Sequence, residues 1–538
     1  MSGSSRRAFL LRSLALGVSA PTVASVLAGC TGDDGRPFGN PATRQRADDA
    51  ARYRGQITVA SLENPPKAAQ EALTRAYREH QPDVRISWQT KDYADSGAYE
   101  RWLGTQLSAN RVGPDIVTSG YAPDFRGFVD FNEYRAQVNP YTGDAWEKDY
   151  AFEKYRELTA EGTRPQLGTD QLHLLWYYNK EIFAAANVSP PRNWREVVEV
   201  SAKLKRAGHI PLSTNFDYIL PGWICSVYFD QYHPSWSTAA RSQPGDWNWN
   251  PELDGDFDYD ANDPALHAKY TYSAQRFYQA LKAKTLRYDT PAMVELVTNL
   301  IRVFPQYSNG DFFAYTDQYL PFVQGKAAML VDGSWSLTLL HKDLQSLTET
   351  RAKKLGIKAG KLEPFDWDVF EFPPMEGPLV ESRPRPPEGT TGYHLGVVEK
   401  EPEHTEMVMD FLMFWLSKPG YTAFLQGTSD AHELAPAGPP MVNGIEYPRE
   451  IADLLGKVQQ KGIAGPAYGS FWVNGPGGGR TTQLLQALFT NVLQRRTPPQ
   501  EYATQVQKTI ETHFADILAN TGLTEDDVAN PARRPRSV

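Results

Sequence analysis

Short strand patterns alternate with helical patterns along the chain, and this alternation most constrains the fold. Residues 57–60 form a β-branched run, residues 67–79 repeat apolar side chains at the helical period, and residues 84–88 alternate as a strand. A helix over 99–109 then leads into a strand over 115–118. Strands that are separated by helices favour a mostly parallel sheet covered by helices. The sequence therefore predicts an α/β fold.

The same alternation returns later in the chain, which predicts a second α/β unit. A strand over 172–178, a helix over 194–207 and a strand over 210–213 follow one another. With 538 residues the chain exceeds the size of one ordinary core, so roughly three units or two large lobes are expected. Further helices are predicted over 265–284, 291–303, 403–416 and 481–494.

The first thirty residues carry the features of an export signal. Arg6 and Arg7 precede an uncharged apolar run over 14–28, which is shorter than the roughly 20 residues that a membrane-spanning helix needs. The paired arginines resemble a twin-arginine signal, and residues 27–30 resemble a bacterial lipobox in which Cys30 would be lipidated. An ordinary signal segment is the alternative. Polar residues 31–54 are predicted to form a flexible tether.

Charge and cysteine content exclude several functional classes. The net charge is -9 and no long basic block occurs, which argues against nucleic-acid binding. Beyond Cys30, only Cys225 remains, so no intramolecular disulfide is expected. Cys225 lies in an apolar run and is predicted to be buried and inert.

Three segments together resemble family 1 extracellular solute-binding proteins, the carbohydrate-binding components of ABC importers. The first is Trp-Tyr-Tyr-Asn-Lys-Glu-Ile-Phe at 176–183 with the Pro/Trp/Glu pattern at 190–196, where Asn193 replaces the usual threonine. The second spans 322–335 and contains Gly-Lys-Ala-Ala-Met followed by Gly-Ser-Trp. The third is Gly-Tyr-His-Leu-Gly-Val at 392–397. The segments occur in the family's order.

This resemblance implies a two-lobed, type II periplasmic-binding-protein-like fold with discontinuous lobes joined by crossover strands. The N-terminal lobe is expected at 55–172 plus 390–430, and the C-terminal lobe at 173–389 plus 431–528, followed by a disordered tail at 529–538. The long aromatic segment 217–319 exceeds what typical members contain. The resemblance further implies a monomer that binds a carbohydrate and an ABC permease. A lipid on Cys30 would hold it at the outer face of the cytoplasmic membrane, and no cofactor, metal or catalytic residue is expected.

Ligand-binding candidates are polar or aromatic residues near turns and the predicted ends of strands. Sugars present apolar C–H faces and a rim of hydroxyls, so aromatic rings and planar polar groups suit them. The candidates are Glu63, Asn64, Tyr121, Asp124, Trp223, Trp335, Tyr393 and Trp472.

Three alternative functions compete with carbohydrate capture: a calcium site, a glycoside hydrolase and an adhesin. Carboxylates at every second position over 254–260 suit calcium, but Tyr259 and Ala265 replace the glycine and glutamate of an EF-hand loop, and an exposed acidic turn is the alternative. A secreted glycoside hydrolase would need two carboxylates across a sugar cleft, which the 64 acidic residues neither support nor exclude. A lipoprotein adhesin would not need a hinged cleft.

Overall fold

A computed structural model describes residues 52–535 of the chain with internal gaps. The predicted signal peptide, the lipobox and most of the tether therefore lie outside the described residues. The internal residues that it does not describe are 63–64, 90–95, 109–112, 120–121, 123–124, 126, 155–158, 160–161, 217, 315–317, 346–351, 354, 358–361, 387, 392, 459–467 and 477–478.

The described strands and helices follow the alternation that the sequence predicts. The strands are β1 (Gly55–Ala60), β2 (Val84–Trp88), β3 (Ile116–Thr118), β4 (Asp170–Asn179), β5 (Ile210–Ser213), β6 (Ala327–Gly333), β7 (Trp367–Phe370), β8 (Glu388–Thr391) and β9 (Leu395–Val397). The helices are α1 (Lys67–His80), α2 (Ser96–Ser108), α3 (Trp146–Asp149), α4 (Lys180–Ala185), α5 (Trp194–Arg206), α6 (Cys225–Tyr232), α7 (Trp236–Ala240), α8 (Pro251–Asp254), α9 (Ala274–Lys282), α10 (Pro291–Leu300), α11 (Tyr319–Val323), α12 (Trp335–Gln345), α13 (Pro402–Trp415), α14 (Lys418–Asp430), α15 (Arg449–Leu455), α16 (Tyr468–Asn474), α17 (Gly479–Leu493), α18 (Pro499–Thr512), α19 (Phe514–Thr521) and α20 (Glu525–Ala529).

The first lobe is built on a four-stranded sheet in the order β2-β1-β3-β9. Strand β1 pairs parallel with β2 and β3, whereas β9 returns late in the chain and pairs antiparallel with β3. Helix α13 lies in the core of this lobe, where its buried Asp410 accepts a hydrogen bond from the Tyr77 hydroxyl of α1 at 2.8 Å. Helices α1 and α13, which are far apart in the sequence, thus share one core, as a lobe built from discontinuous segments requires.

The second lobe contains a sheet in the order β5-β6-β4-β7, and β8 pairs with the first half of β4. The expectation of a mostly parallel sheet holds for the first lobe and is wrong here. Strands β5 and β6 are parallel, but β4 runs antiparallel to β6, β7 and β8. Strand β4 enters this lobe directly from the first lobe rather than through a covering helix, so its direction is opposite to that of β6.

Helix α5 begins where its capping residue predicts. The Asn193 side chain accepts a hydrogen bond from the Glu196 backbone N–H at 2.9 Å, which satisfies one of the free donors of the first turn. The next residue, Trp194, is buried and donates its indole N–H to the Asn299 carbonyl at 2.8 Å. The segment that resembles the family motif therefore also has a local structural role.

Helices α6 to α10 form an additional layer that shares the core of the second lobe. Cys225 is fully buried there, and burial raises the pKa of its thiol well above the ordinary value, which confirms the prediction of an inert cysteine. The predicted helix over 265–284 is wrong at its start. A short 3-10 turn at Leu266–Ala268 is followed by extended chain, and α9 begins only after Ser273, whose hydroxyl caps it by accepting from the Arg276 N–H.

The predicted lobe boundaries need two corrections. Met441 and Val442 pack in the first lobe's core, and Val442 bridges Tyr150, so residues 431–528 do not all belong to the second lobe. The predicted disordered tail is also wrong for residues 530–535, because the Gln275 side chain donates to the carbonyl oxygens of Asn530 and Arg533. Within the described part of the chain, no helix has both the length and the apolar character that crossing a bilayer demands.

Candidate functional site

The carboxyl ends of the strands in both lobes face the segments that join the lobes. In the first lobe, Thr118 at the end of β3 pairs with Leu395, which in turn bridges Leu167. In the second lobe, Gly333 at the end of β6 pairs with Leu174 of β4. The chain from Leu167 to Leu174 therefore connects the two carboxyl edges directly. In open α/β sheets this edge is where ligands bind.

The length of this connection limits the distance between the two edges. Seven residues separate Leu167 from Leu174, and extended chain advances about 3.3 Å per residue, so the edges lie at most roughly 23 Å apart. Strand β8 crosses beside β4, with Asp170 opposite Thr391 and His173 opposite Glu388.

A third crossing, residues 436–442, flanks β4 on its other side. The Gln171 N–H donates to the Pro439 carbonyl at 2.7 Å, and the Met441 N–H donates to the Thr169 carbonyl at 2.9 Å. Gly438 lies so close that a Cβ atom there would be 1.9 Å from the Gln171 carbonyl oxygen. Three closely packed crossings thus form the hinge between the lobes.

Trp335 lies at the carboxyl edge of the second lobe, as the sequence predicts for a ligand-binding aromatic residue. It is the first residue of α12 and is only partly buried. Its ring covers Gly333, where a Cβ atom would lie 2.2 Å from the ring, and its centroid is 5.5 Å from that of Trp223. Trp223 in turn contacts the Tyr218 ring edge-on at 5.7 Å. A continuous row of three aromatic rings therefore lies beside the crossings.

A buried polar network supports this aromatic row. Gln318 accepts a hydrogen bond from the Asn215 side chain at 2.7 Å, and it donates to the Tyr218 hydroxyl at 2.8 Å and to the Asp332 carboxylate at 3.2 Å. Asp332 is 1% exposed and also accepts from the Ser336 hydroxyl. Because these groups satisfy one another, they fix the orientation of Tyr218.

On the first lobe, a buried tyrosine ties together the ends of the two strands that lead to the candidate residues. The Tyr99 hydroxyl donates to the Ala60 carbonyl at 3.0 Å and accepts from the Thr118 N–H at 2.9 Å. The adjacent Ser119 donates its hydroxyl to the carbonyl oxygen of His394, which begins the return strand with φ 44°. These hydrogen bonds therefore hold the carboxyl ends of β1 and β3 and the residue before β9 together.

The eight predicted binding residues have different surroundings. Glu63, Asn64, Tyr121 and Asp124 lie outside the described residues. Trp335 and Tyr393 are partly buried, but Tyr393 packs on Trp415 and Phe424 of the first lobe.

The remaining two candidates are buried in the core of the second lobe. Trp223 is 1% exposed and packs behind Trp335, and Trp472 is 0% exposed with its indole N–H donated to the Gly469 carbonyl. In the described conformation both support the site from behind, and only Trp335 of the four described candidates lies in the aromatic row with an exposed part.

Sequence reasoning missed Tyr218, Asn215 and Gln318. The first two directly follow β5, whose carboxyl end lies at the same edge as that of β6 because the two strands are parallel. A position soon after the end of a strand is therefore a sequence signal that could have identified both residues. Gln318 had no local signal, since it reaches the edge only through the fold.

The carboxylates at this edge are engaged by protein donors. Both oxygens of Asp332 accept hydrogen bonds, and Asp170 accepts from the hydroxyls of Thr169 and Tyr447. Burial and the charge of Lys154 lower the pKa of His173 to about 4, so this histidine is neutral at pH 7. The described groups at the edge therefore offer aromatic faces and hydrogen bonds rather than a reactive acid and base.

The acidic turn at 254–260 separates its carboxylates. Asp254 is buried and accepts from the backbone N–H groups of Asn250 and Thr271, whereas Asp256, Asp258 and Asp260 are exposed. Within the described residues, no group of three or more His, Cys, Asp or Glu side chains is arranged to hold a metal ion.

A family model for bacterial extracellular solute-binding proteins matches residues 60–422, which is most of the chain. The chain belongs to this family. Solute-binding proteins of the family capture their ligand rather than convert it, and the two lobes with facing carboxyl edges agree with that function. No curated protein matches the chain in sequence.

Solved structures share the fold at low sequence identity. A protein from a study of xylan utilisation by Caldanaerobius polysaccharolyticus has a TM-score of 0.52 and 18% identity, covering 85% of this chain and 100% of that one. A family 1 extracellular solute-binding protein from Bifidobacterium longum subsp. infantis has a TM-score of 0.51 and 15% identity, covering 85% and 99%. A cyclic α-maltosyl-1,6-maltose binding protein from Arthrobacter globiformis has a TM-score of 0.52 and 15% identity, covering 87% and 100%. The expected two-lobed type II fold is confirmed.

Proposed function

We propose that this solute-binding protein captures a sugar or oligosaccharide between its lobes and delivers it to the permease of an ABC importer. The observation that carries the proposal is the row of Tyr218, Trp223 and Trp335 at the edge that faces the crossings. Aromatic faces at this position suit the C–H faces of sugar rings, and the Tyr218 hydroxyl and nearby amides suit sugar hydroxyls. Glu63, Asn64, Tyr121, Asp124, Tyr393 and Trp472 remain proposed contributors.

The ligands named for the structural relatives support a carbohydrate. One relative is described as a chitin oligosaccharide binding protein, another binds cyclic α-maltosyl-1,6-maltose, and a third belongs to xylan utilisation. Closure of the lobes must be favoured by the ligand, because a ligand that bound both states equally would shift no population. The permease would then recognise the closed form.

The N-terminal segment supports an anchored protein outside the cytoplasm. Residues 1–30 are proposed to contain a twin-arginine signal peptide and a lipobox, with cleavage before Cys30 and a lipid on that cysteine. The polar segment 31–54 would then let a monomer reach the permease from the outer face of the cytoplasmic membrane. Mass spectrometry of the purified protein tests this directly, since lipidation requires a modified Cys30 at the new N-terminus.

A glycan panel tests the binding function. The chain contains 13 Trp residues, so intrinsic fluorescence titration should report binding, and a thermal shift should rise with concentration of the same sugar and saturate. We expect one class of oligosaccharide to bind without being consumed. A response to amino acids or metal ions with none to sugars would refute the carbohydrate ligand.

Turnover assays separate binding from the alternative function, a secreted glycoside hydrolase. Incubation with the bound oligosaccharide and with its parent polysaccharide should release no reducing ends over hours. Steady release that depends on the protein's concentration would identify an enzyme instead.

A further inference from the structure

The additional helical layer of the second lobe reaches across to the first lobe and contacts it at Gly162. This glycine lies in a tight turn of the first lobe, where its carbonyl accepts from the Asn132 side chain at 3.0 Å. A Cβ atom at Gly162 would lie 2.9 Å from the ring of Trp247, which belongs to the second lobe. The contact therefore joins the two lobes through side-chain packing rather than through a chain crossing.

Trp247 is held from the side of the second lobe by several partners. Its indole N–H donates to the Gln275 side chain of α9 at 2.6 Å, and its backbone N–H donates to the Pro531 carbonyl at 3.0 Å. The Arg534 guanidinium lies over the ring, 5.5 Å from its centroid. The last described residues of the chain thus form part of the seat for this ring.

Asp246, the residue before Trp247, further fixes the position of the Trp247 ring. Asp246 is 7% exposed and forms a bidentate ion pair with Arg276 of α9, with a shortest distance of 2.6 Å. Arg533 is likewise paired with Asp527 of α20 at 2.8 Å. Trp247 is therefore presented on a rigid support and does not move independently of the second lobe.

The turn on the first lobe accepts the ring only because its residue is glycine. Gly162 has φ 78°, a conformation that costs other residues about 1 kcal/mol or more. It also leaves the ring no room for a side chain, since the Cβ position overlaps the ring. The backbone conformation and the missing side chain serve the same contact.

We infer that Trp247 and Gly162 form an interlobe latch that stabilises the described arrangement of the lobes. A contact between the lobes outside the crossings is lost when the lobes rotate about those crossings, so its free energy favours the arrangement in which it is made. The inference rests on the proposed capture between moving lobes, and it assigns a role to the extra segment 217–319 and to the C-terminal residues. The latch therefore biases the equilibrium between lobe arrangements that a ligand must shift.

Spin-label distances test the latch without any ligand. The full chain with Cys30→Ser carries labels at Arg85→Cys and Lys508→Cys, both exposed and one in each lobe, while Cys225 is buried and stays unlabelled. In the ligand-free protein, Trp247→Ala should add a population with a different distance between the labels. An unchanged distance distribution would overturn the latch.

Matched variants exclude a general loss of stability. Gly162→Ala should change the distance as Trp247→Ala does, whereas Gly143→Ala, at φ 77° in the same lobe with nothing near its Cβ position, should not. Trp367→Ala removes another partly buried tryptophan of the second lobe and should also leave the distance unchanged. A shift in either control as large as that in Gly162→Ala would refute a specific contact.

Ligand affinity completes the test and separates the latch from the proposed function. For the sugar selected by the glycan panel, Trp247→Ala should change the Kd by roughly tenfold, because it changes the share of molecules in the arrangement that binds. A changed distance with no sugar bound by the wild type would retain the latch and reject the carbohydrate ligand. Equal distances and equal Kd in both proteins would reject the latch and retain capture.

Discussion

Replacing Trp335 by alanine tests whether the aromatic row is the binding surface. The ring is partly buried, and its inner face contacts Gly333 and the Trp223 ring at a centroid distance of 5.5 Å. Removing these contacts should lower the free energy of unfolding by about 1 to 2 kcal/mol. Among the described residues, no such partner covers the exposed part of the ring, which is proposed to contact the ligand.

The expected loss of affinity is larger than the loss of stability. A tryptophan at the centre of a binding site costs at least about 2 kcal/mol when truncated, which corresponds to roughly a thirtyfold rise in Kd. Isothermal titration with the sugar found by the glycan panel measures this Kd. Circular dichroism and urea unfolding of the same sample show whether the variant is folded.

Trp88→Ala is the matched control for this prediction. Trp88 is also partly buried, but it lies on the outer edge strand β2 and donates its indole N–H to the Thr74 hydroxyl at 3.0 Å. This variant should lose similar or greater stability and keep the wild-type Kd. If Trp335→Ala is folded and binds the sugar as tightly as Trp88→Ala does, Trp335 is not part of the site.

Three further changes test the hinge, a buried ion pair and the buried histidines. Gly438→Ala places a Cβ atom against a backbone carbonyl of β4 and should cost about 1 to 3 kcal/mol in urea unfolding, whereas Gly310→Ala, with open space, should cost far less. Asp230→Ala leaves the buried Arg385 guanidinium without its carboxylate and removes a hydrogen-bond partner of His267, so it should cost about 3 to 5 kcal/mol at pH 7; a cost below 1 kcal/mol would contradict the pairing. Burial lowers the pKa of His173 and His233 to about 4 from an ordinary value near 6.5, so the unfolded chain binds more protons between these values. Stability should therefore fall as pH drops from about 6.5 to 4, by up to ~3 kcal/mol for each histidine, and unfolding curves of the double glutamine variant should show a weaker dependence.

Local patterns predicted most elements because their signals lie within a few residues. The cap at Asn193 precedes its helix directly, and the apolar period of residues 67–79 gives α1 within one residue. The predicted start of the helix over 265–284 failed because the Thr271 N–H bonds to Asp254, seventeen residues earlier, which holds that segment extended. A hydrogen bond to a residue distant in the sequence cannot be detected in the local periodicity of apolar residues.

The exposure of the predicted aromatics shows the same limit. Trp335 and Trp472 both follow or precede turns, and nothing in their neighbours distinguishes them. The structure leaves Trp335 partly exposed at a sheet edge, whereas Trp472 lies on α16 between Phe489 and Tyr502. Burial depends on which helices pack around a residue, and the neighbouring sequence does not encode that packing.

The sequence by itself determined the family, the α/β class and the strand ends at which a site belongs, because periodicity and short motifs encode them locally. Only the tertiary structure decided the antiparallel direction of β4, the third crossing at 436–442 and the contact between Gly162 and Trp247. Each of these depends on segments that are distant in the chain and meet only when the lobes are assembled. Their energies come from packing and hydrogen bonds that exist in the folded state alone.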